Sequence, residues 1–476
     1  MNRSVKIAII DNGVDGYYIN GDLEASFVID KNGVCKEDYS SIEEQYFKHG
    51  TVCAYIIKNN AENSKLYSVR MLDENGRGLV RSLSPALEWC YQNSIRLVNL
   101  SLGTAHFRDK AKIRKCINHY VHKGMIIVAA TSNRGYMTYP ASFSNVIGVE
   151  MGEDFCFAEL SQKQKGVDFI APVKLEHLIE KVPLGIPRSN SYAAPYVTAM
   201  IANILQENPS ANLTTIRKTI CNSQKENTFF YAPDWMETAW VSEKCQKSEA
   251  TYYFKHVAGD LDACKDEIDT LVVVEKEELQ KYYSKEKHIV YLGEDSVECL
   301  SMTGYFWSKK LRIEQITSSP KRISEIEIPI IIIKLCAGYD PILLLDVLRN
   351  CFSKEGHNIY AVSNEIESVL YDLEFLPKEL CSPSNSETVL DFLYWQIFYN
   401  QSDAVLYCTD KEEYLSFIEN ADMVVKINPD GEKNTAEIYC DGAWRKNVIF
   451  TCMNRQDIIS LFQCILKLLT EGNNGQ

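Results

Sequence analysis

A chain of 476 residues is longer than one hydrophobic core ordinarily serves, and 46% hydrophobic with 24% charged residues is the composition of a folded globular protein rather than a disordered or fibrous one. The formal net charge of -14, with no cluster of Lys and Arg, argues against a nucleic-acid surface. The opening MNRSVKIAIIDNG holds no long apolar run and no small-residue cleavage site, the greasiest run (residues 328–335) is too short to span a bilayer, and the sixteen cysteines lack any CxxC pair; these predict no secretory signal, no membrane span and free thiols in a reducing cytoplasm.

In chain order, VKIAIID (5–11) is a continuous apolar run, the pattern of a strand buried on both faces. HGTVCAYIIKN (49–59) reads as a helix and KLYSVRML (65–72) as a strand. SLSPALEWCYQN (82–93) reads as a helix with Ser84 as N-cap and Pro85 at its first position. IRLVNLSLG is a strand ending in a glycine turn, and DKAKIRKCINHYVHKG is an amphipathic helix stopped by Gly124. MIIVAATSN and VIGVEM are strands. RSNSYAAPYVTAMIANIL (188–205) enters a helix apolar on nearly all sides, and TTIRKTICNS follows as one more. This alternation predicts an α/β domain with a doubly wound parallel sheet, whose ligands sit at the carboxyl ends of the strands. The pattern loosens after residue 222. We divide the chain into a first domain over 1–225, a linker region over 226–250 and a second α/β domain over 251–476. The last opens with strands TLVVVE, HIVYLG and IPIIIIKL, continues as helix 341–356, strand NIYAVS, helix 387–400, strands DAVLYCT and ADMVVKIN, and closes on the helix DIISLFQCILKLL.

Four short strings fall at strand ends or helix starts of the first domain. IIDNGVD places Asp11 at the end of the first strand, KHGTVCA places His49 at a helix start, AATSNRG places Asn133 at a strand end, and SNSYAAP places Ser191 at a helix start. Each alone has a plain reading: a turn at Asp11-Asn12-Gly13, a surface or capping histidine, a second turn at Asn133, and an N-cap at Ser191. Together, in this order, they resemble the subtilisin-like serine peptidases. D-x-G on a first strand, H-G-T on a helix and S-x-A-A-P on a long apolar helix carry the resemblance, which covers about residues 4–222. VNLSLG (98–103) is similar to that family's substrate-binding edge strand.

The resemblance implies a serine endopeptidase. A hydroxyl is a poor nucleophile and needs a base within hydrogen-bond reach, so His49 would take the Ser191 proton and Asp11 would orient the imidazole and stabilise its cation. The Asn133 side chain and the Ser191 backbone N–H would hold the oxyanion, and Ser101, Leu102 and Gly103 would bind substrate. Pro195 is placed in the first turn of the helix, where its missing N–H costs nothing. Two motifs depart from the family pattern. Ser189-Asn190-Ser191 stands for G-T-S, and Ser132-Asn133 for G-N, so two glycines with easy access to positive φ are replaced beside the reacting carbonyl. No cofactor and no metal are expected. Secreted members carry a propeptide; Met1 lies a few residues before the first strand, which implies an enzyme of the cell interior.

The segment 328–363 has the order of a nucleotide-binding unit, but its turn Cys336-Ala337-Gly338-Tyr339-Asp340-Pro341 has one glycine, no lysine and an aspartate that would repel phosphate. It resembles the degenerate P-loop-like domains of bacterial peptide-maturation proteins. That implies cytoplasmic cleavage of a ribosomally made precursor peptide, with the second domain docking the precursor or a peptide-modifying enzyme, or else serving stability or dimerisation alone. A general intracellular protease and a peptide-binding pseudo-peptidase are the alternatives. Cys116, His119 and His122 share one helix but have no fourth ligand nearby, and Asp260, Asp262, Asp266 and Glu267 lack the glycine of a calcium loop; both are read as solvated faces.

Overall fold

The computed structural model describes residues 4–19, 21–39, 48–173, 188–221, 232–282, 287–294, 304–336, 338–410, 421–430, 433–440, 442–450 and 454–472. The chain divides into two compact units, Met1–Phe230 with Asp234–Glu237 and Tyr231–Pro233 with Thr238–Gln476. No helix among the described residues is long and apolar enough to cross a membrane.

The first unit carries β1 (Val5–Asp11), β2 (Leu23–Ile29), β3 (Cys35–Glu37), α1 (His49–Asn60), β4 (Ser64–Arg70), α2 (Leu83–Gln92), β5 (Leu97–Leu100), α3 (Lys110–His122), β6 (Ile126–Ala130), β7 (Ile147–Gly152), β8 (Cys156–Phe157), α4 (Leu160–Lys163), β9 (Phe169–Pro172), α5 (Asn190–Glu207) and α6 (Leu213–Cys221). Its nine-stranded sheet runs β3-β2-β4-β1-β5-β6-β7-β9-β8. The interior pairs are parallel and only the edge pairs β2/β3 and β8/β9 are antiparallel.

The strand period of two sorts side chains onto the two faces. In β5, Val98 and Leu100 join a core with Leu83, Leu87 and Cys90 of α2 and Ile113 and Ile117 of α3. Asn99 between them faces the other way and accepts a hydrogen bond from Thr198 Oγ1 of α5 at 2.9 Å. That second face is covered by α1 and α5, which also pack on each other. Ala193, Ala194, Ala199 and Ala202 of α5 are almost wholly buried, and small side chains are what let a helix lie this close to a sheet. The doubly wound parallel architecture expected from the sequence is therefore present.

Two local readings are corrected. Ser84 is not a cap: a 3-10 turn over Val80–Ser82 leads into α2, and Ser84 is its second residue. Pro195 is not in the first turn of α5. The helix starts at Asn190, so Pro195 is its sixth residue, and its missing N–H leaves the Ser191 carbonyl without the usual partner four residues on. The Cys53 thiol, reaching across from α1, donates to that carbonyl at 3.8 Å.

The second unit holds β10 (Thr238–Val241), β11 (Lys255–His256), α7 (Leu261–Cys264), β12 (Thr270–Val273), α8 (Lys276–Tyr282), β13 (His288–Tyr291), β14 (Phe306–Ser308), α9 (Lys309–Thr317), β15 (Ile330–Leu335), α10 (Pro341–Glu355), β16 (Ile359–Ser363), β17 (Glu374–Phe375), α11 (Ser386–Asn400), β18 (Ala404–Thr409), β19 (Met423–Asp430), β20 (Lys433–Cys440), β21 (Ala443–Phe450) and α12 (Arg455–Gly472). It contains two sheets, a parallel five-stranded one ordered β11-β10-β12-β13-β14 and a mixed seven-stranded one ordered β17-β16-β18-β15-β19-β20-β21. Strand β10 falls within 226–250, the stretch read from sequence as linker; it pairs with β12 and belongs to this unit. At the turn before α10 the Asp340 carboxylate accepts from the Ile342 and Leu343 N–H groups, both at 3.0 Å. The aspartate thereby caps the first turn of α10 with its own side chain.

Candidate active site

Asp11 ends β1, at the carboxyl edge of the sheet, with about 1% of its surface exposed. One carboxylate oxygen accepts from the Asn12 N–H at 2.8 Å, and the other from His49 Nδ1 at 2.8 Å. A carboxylate only accepts, so Nδ1 carries a proton, and in the neutral ring Nε2 is the base. His49 is the first residue of α1. The turn that follows Asp11 fixes its place: Gly13 has φ +101°, and Asn12 Oδ1 accepts from the Gly50 N–H at 3.0 Å. A Cβ on Gly50 would lie 2.5 Å from the Gly13 carbonyl oxygen and 3.1 Å from Asp11 Cβ. H-G at the helix start is thus a requirement of close approach.

Ser191 Oγ lies 2.8 Å from His49 Nε2, completing a line from carboxylate to imidazole to hydroxyl across residues 38 and 142 positions apart. Ser191 is the second residue of α5, where N–H groups without partners inside the helix and the positive end of the helix favour a developing negative charge. Burial of the imidazole works against its cation, but the Cys53 sulfur and the Asp11 carboxylate beside it favour the cation. The balance holds His49 above the ordinary histidine range. The Tyr192 ring lies against the imidazole, with centroids 4.9 Å apart.

Asn133 sits in a turn after β6, closed by Gly135 N–H to the Ser132 carbonyl and by Arg134 N–H to Ser132 Oγ. Its Oδ1 accepts from the Asn190 N–H at 2.9 Å, which turns its Nδ2 toward the head of α5, 3.4 Å from Ser189 Oγ. Neither serine that replaces a family glycine is strained. Ser189 has φ -154° in extended backbone, and Ser132 is not among the residues of positive φ.

Sequence reasoning assigned no structural role to several residues that build this site. Asn190 accepts from the Met151 N–H and donates to the Thr131 and Ser132 carbonyls, tying the head of α5 to the ends of β6 and β7. Ser189, not Ser191, is the N-cap of α5. Cys53 lies within reach of His49, Ser101 and the Ser191 carbonyl. Asp11, His49 and Cys53 bring one ligand atom each within 4.8 Å of one another, but a metal there would compete with Asp11 for the same imidazole nitrogen.

Ser101, Leu102 and Gly103 follow directly on β5. Ser101 turns inward, accepting from Asn99 Nδ2 at 2.9 Å, Leu102 packs against the core, and Gly103 leaves its backbone exposed. A Cβ on Gly103 would meet Thr138 Cγ2 at 2.4 Å. The other clusters considered from sequence stay apart from this chemistry. His119 pairs with Glu237, Cys116 is a thiol that burial pushes up to about 11, and Asp260 caps α7.

A buried carboxylate, an imidazole and a hydroxyl in line at the head of a helix, at the carboxyl edge of a doubly wound parallel sheet, define a serine-nucleophile hydrolase of the subtilisin type. The subtilase family model matches residues 2–240, and the chain belongs to that family of serine peptidases. It is similar to subtilisin BL of Lederbergia lenta, 30% identical over 233 residues that make up 46% of this chain and 82% of that protein. It is likewise 30% identical to the minor extracellular protease Epr of Bacillus subtilis (strain 168) over 45% of this chain, but this spans only 34% of Epr. Among solved structures, sphericase aligns over 46% of this chain and 83% of its own at 18% identity, with a TM-score of 0.38.

Proposed function

We propose that the chain is a serine endopeptidase that matures a ribosomally made precursor peptide in the cytoplasm. The observation that carries the chemistry is the unbroken hydrogen-bonded line Asp11–His49–Ser191. As Ser191 Oγ attacks the scissile carbonyl carbon, its proton passes to His49 Nε2, and Asp11 stabilises the imidazolium. The carbonyl oxygen becomes an oxyanion facing the Ser191 N–H and Asn133 Nδ2. Collapse expels the amine, which leaves with the proton from His49. A water then attacks the acyl ester by the same route in reverse, with His49 again taking and returning the proton. Ser101–Gly103 would hold the substrate in extended form through their backbone.

Selectivity is the finer part of the reading. A protease active among cytoplasmic proteins must be narrow in what it cuts, and the second unit, which the subtilase match does not cover beyond residue 240, is where a docking surface for a precursor or a modifying enzyme would lie. The cysteines whose side chains the structure describes are free thiols, consistent with a reducing compartment, although Epr is by its name extracellular. Digestion assays test this. Incubation with casein and with short precursor peptides encoded beside the gene should give cleavage of one precursor at one bond and little of casein. Broad casein degradation would make the chain a general protease, and tight precursor binding without cleavage would make it a peptide-binding pseudo-peptidase.

A further inference from the structure

The two oxyanion donors are already engaged. The Ser191 N–H points at Ser189 Oγ at 3.2 Å, and Asn133 Nδ2 lies 3.4 Å from the same oxygen. Ser189 Oγ is also 2.7 Å from Ser191 Oγ. The protons can be assigned without conflict. With the imidazole neutral, as it must be to act as base, Nε2 of His49 receives the proton on Ser191 Oγ, so the bond between the two serines uses the Ser189 proton, with Ser191 Oγ accepting. Ser189 Oγ then makes every bond a hydroxyl can make: it donates one and accepts two. An oxygen that takes both donors of an oxyanion hole and touches the nucleophile stands where a substrate carbonyl oxygen must go.

We propose that the Ser189 side chain is a built-in plug of the oxyanion hole, and that its hydroxyl must rotate away before a substrate carbonyl can be polarised. This rests on the serine peptidase reading above. Three features make the plug removable. Ser189 has ordinary extended backbone, so a change of its side-chain rotamer needs no backbone movement. The residue is only half-buried. Its bonds are also replaceable one for one, because the substrate oxygen accepts from the same two donors. The nucleophile, by contrast, loses a hydrogen bond that damps its lone pair when Ser189 leaves. The plug therefore lowers the resting reactivity of Ser191 toward any carbonyl that binds weakly and yields to one held by other contacts. That is a restraint suited to an enzyme selective for one peptide.

The test is the second-order rate of labelling by a fluorophosphonate, whose phosphoryl oxygen must enter the hole as the adduct forms. The full-length protein is compared with Ser189→Gly and Ser189→Ala, with melting temperatures taken alongside. Glycine is itself an acceptable N-cap and so keeps the helix start, whereas alanine loses the cap with the hydroxyl. The plug predicts that both variants label faster than the wild type, by about tenfold for glycine, the effect of one competing hydrogen-bonded group. A purely structural cap predicts slower labelling that follows the loss of melting temperature. Labelling of the wild type with no gain in Ser189→Gly would overturn the plug and leave the peptidase reading standing. Labelling of neither protein, both folded, would overturn the two together, since the hole stays inactive even when emptied.

Discussion

His49 is hydrogen-bonded at both ring nitrogens, and this decides how the site answers to pH. Its cation is favoured in the fold, so that contribution to stability is complete below the ordinary histidine value of 6.5 and is lost as pH rises through the raised folded value. The catalytic base appears over the same rise. kcat/KM is therefore predicted to climb with pH through a midpoint above 6.5, and Asp11→Asn to move that midpoint down while lowering kcat; a midpoint at or below 6.5 in the pH–rate profile would contradict the assignment. Asn133→Ala should lower kcat by about two to three orders of magnitude with little change in KM, a size taken over from a subtilisin asparagine in this role rather than derived from this geometry. Steady-state kinetics on the precursor peptide would check it. The triad was legible in the sequence because each member brings a neighbour with its own geometric duty: Gly13, Gly50, and the two alanines after Ser191. The role of Ser189 was not. It depends on a rotamer and on Asn133, which reaches it from 56 residues away.

At the scale of elements, the site depends on how closely α1 and α5 approach the strand ends. Gly50→Ala would push a Cβ into the Gly13 carbonyl, so α1 must retreat and carry His49 with it. We expect a loss of about 1–3 kcal/mol in stability and a larger loss in activity than melting alone explains. Ala194→Leu, at a fully buried position of α5, should destabilise by a similar amount. Denaturant titration of both variants would measure these losses, and an unchanged midpoint for either would contradict the packing described. Most elements near the site were visible as apolar runs of strand or helix period. The Pro195 reading failed because the helix begins at Asn190, one residue before the nucleophile, a boundary that apolar periodicity does not mark. The antiparallel hairpin of β20 and β21 was overlooked although the Asp441-Gly442 pair between the two strands is a turn signal; Gly442 takes φ +72° there. Strands β10, β11, β14 and β17 were also unread, so the sequence reading of a second α/β domain did not divide it into two sheets.

At the scale of the molecule, two units with their own sheets predict unfolding in more than one step. A covalent adduct at Ser191 should raise the calorimetric transition of the first unit and leave the other in place. The division near residue 240 was only partly readable, because β10 is four residues long and lies in polar surroundings that look like linker. If Asp11, His49 and Ser191 form an activated nucleophile, Ser191 must react with an electrophilic phosphonate and need His49 to do so. Purified protein is incubated with a fluorophosphonate beside Ser191→Ala and His49→Ala, and the adduct is located by mass spectrometry of the digested chain. A single adduct is expected, on Ser191 of the wild type, and none on either variant. No adduct on the wild type, or an adduct that persists in His49→Ala at the same rate, would contradict it.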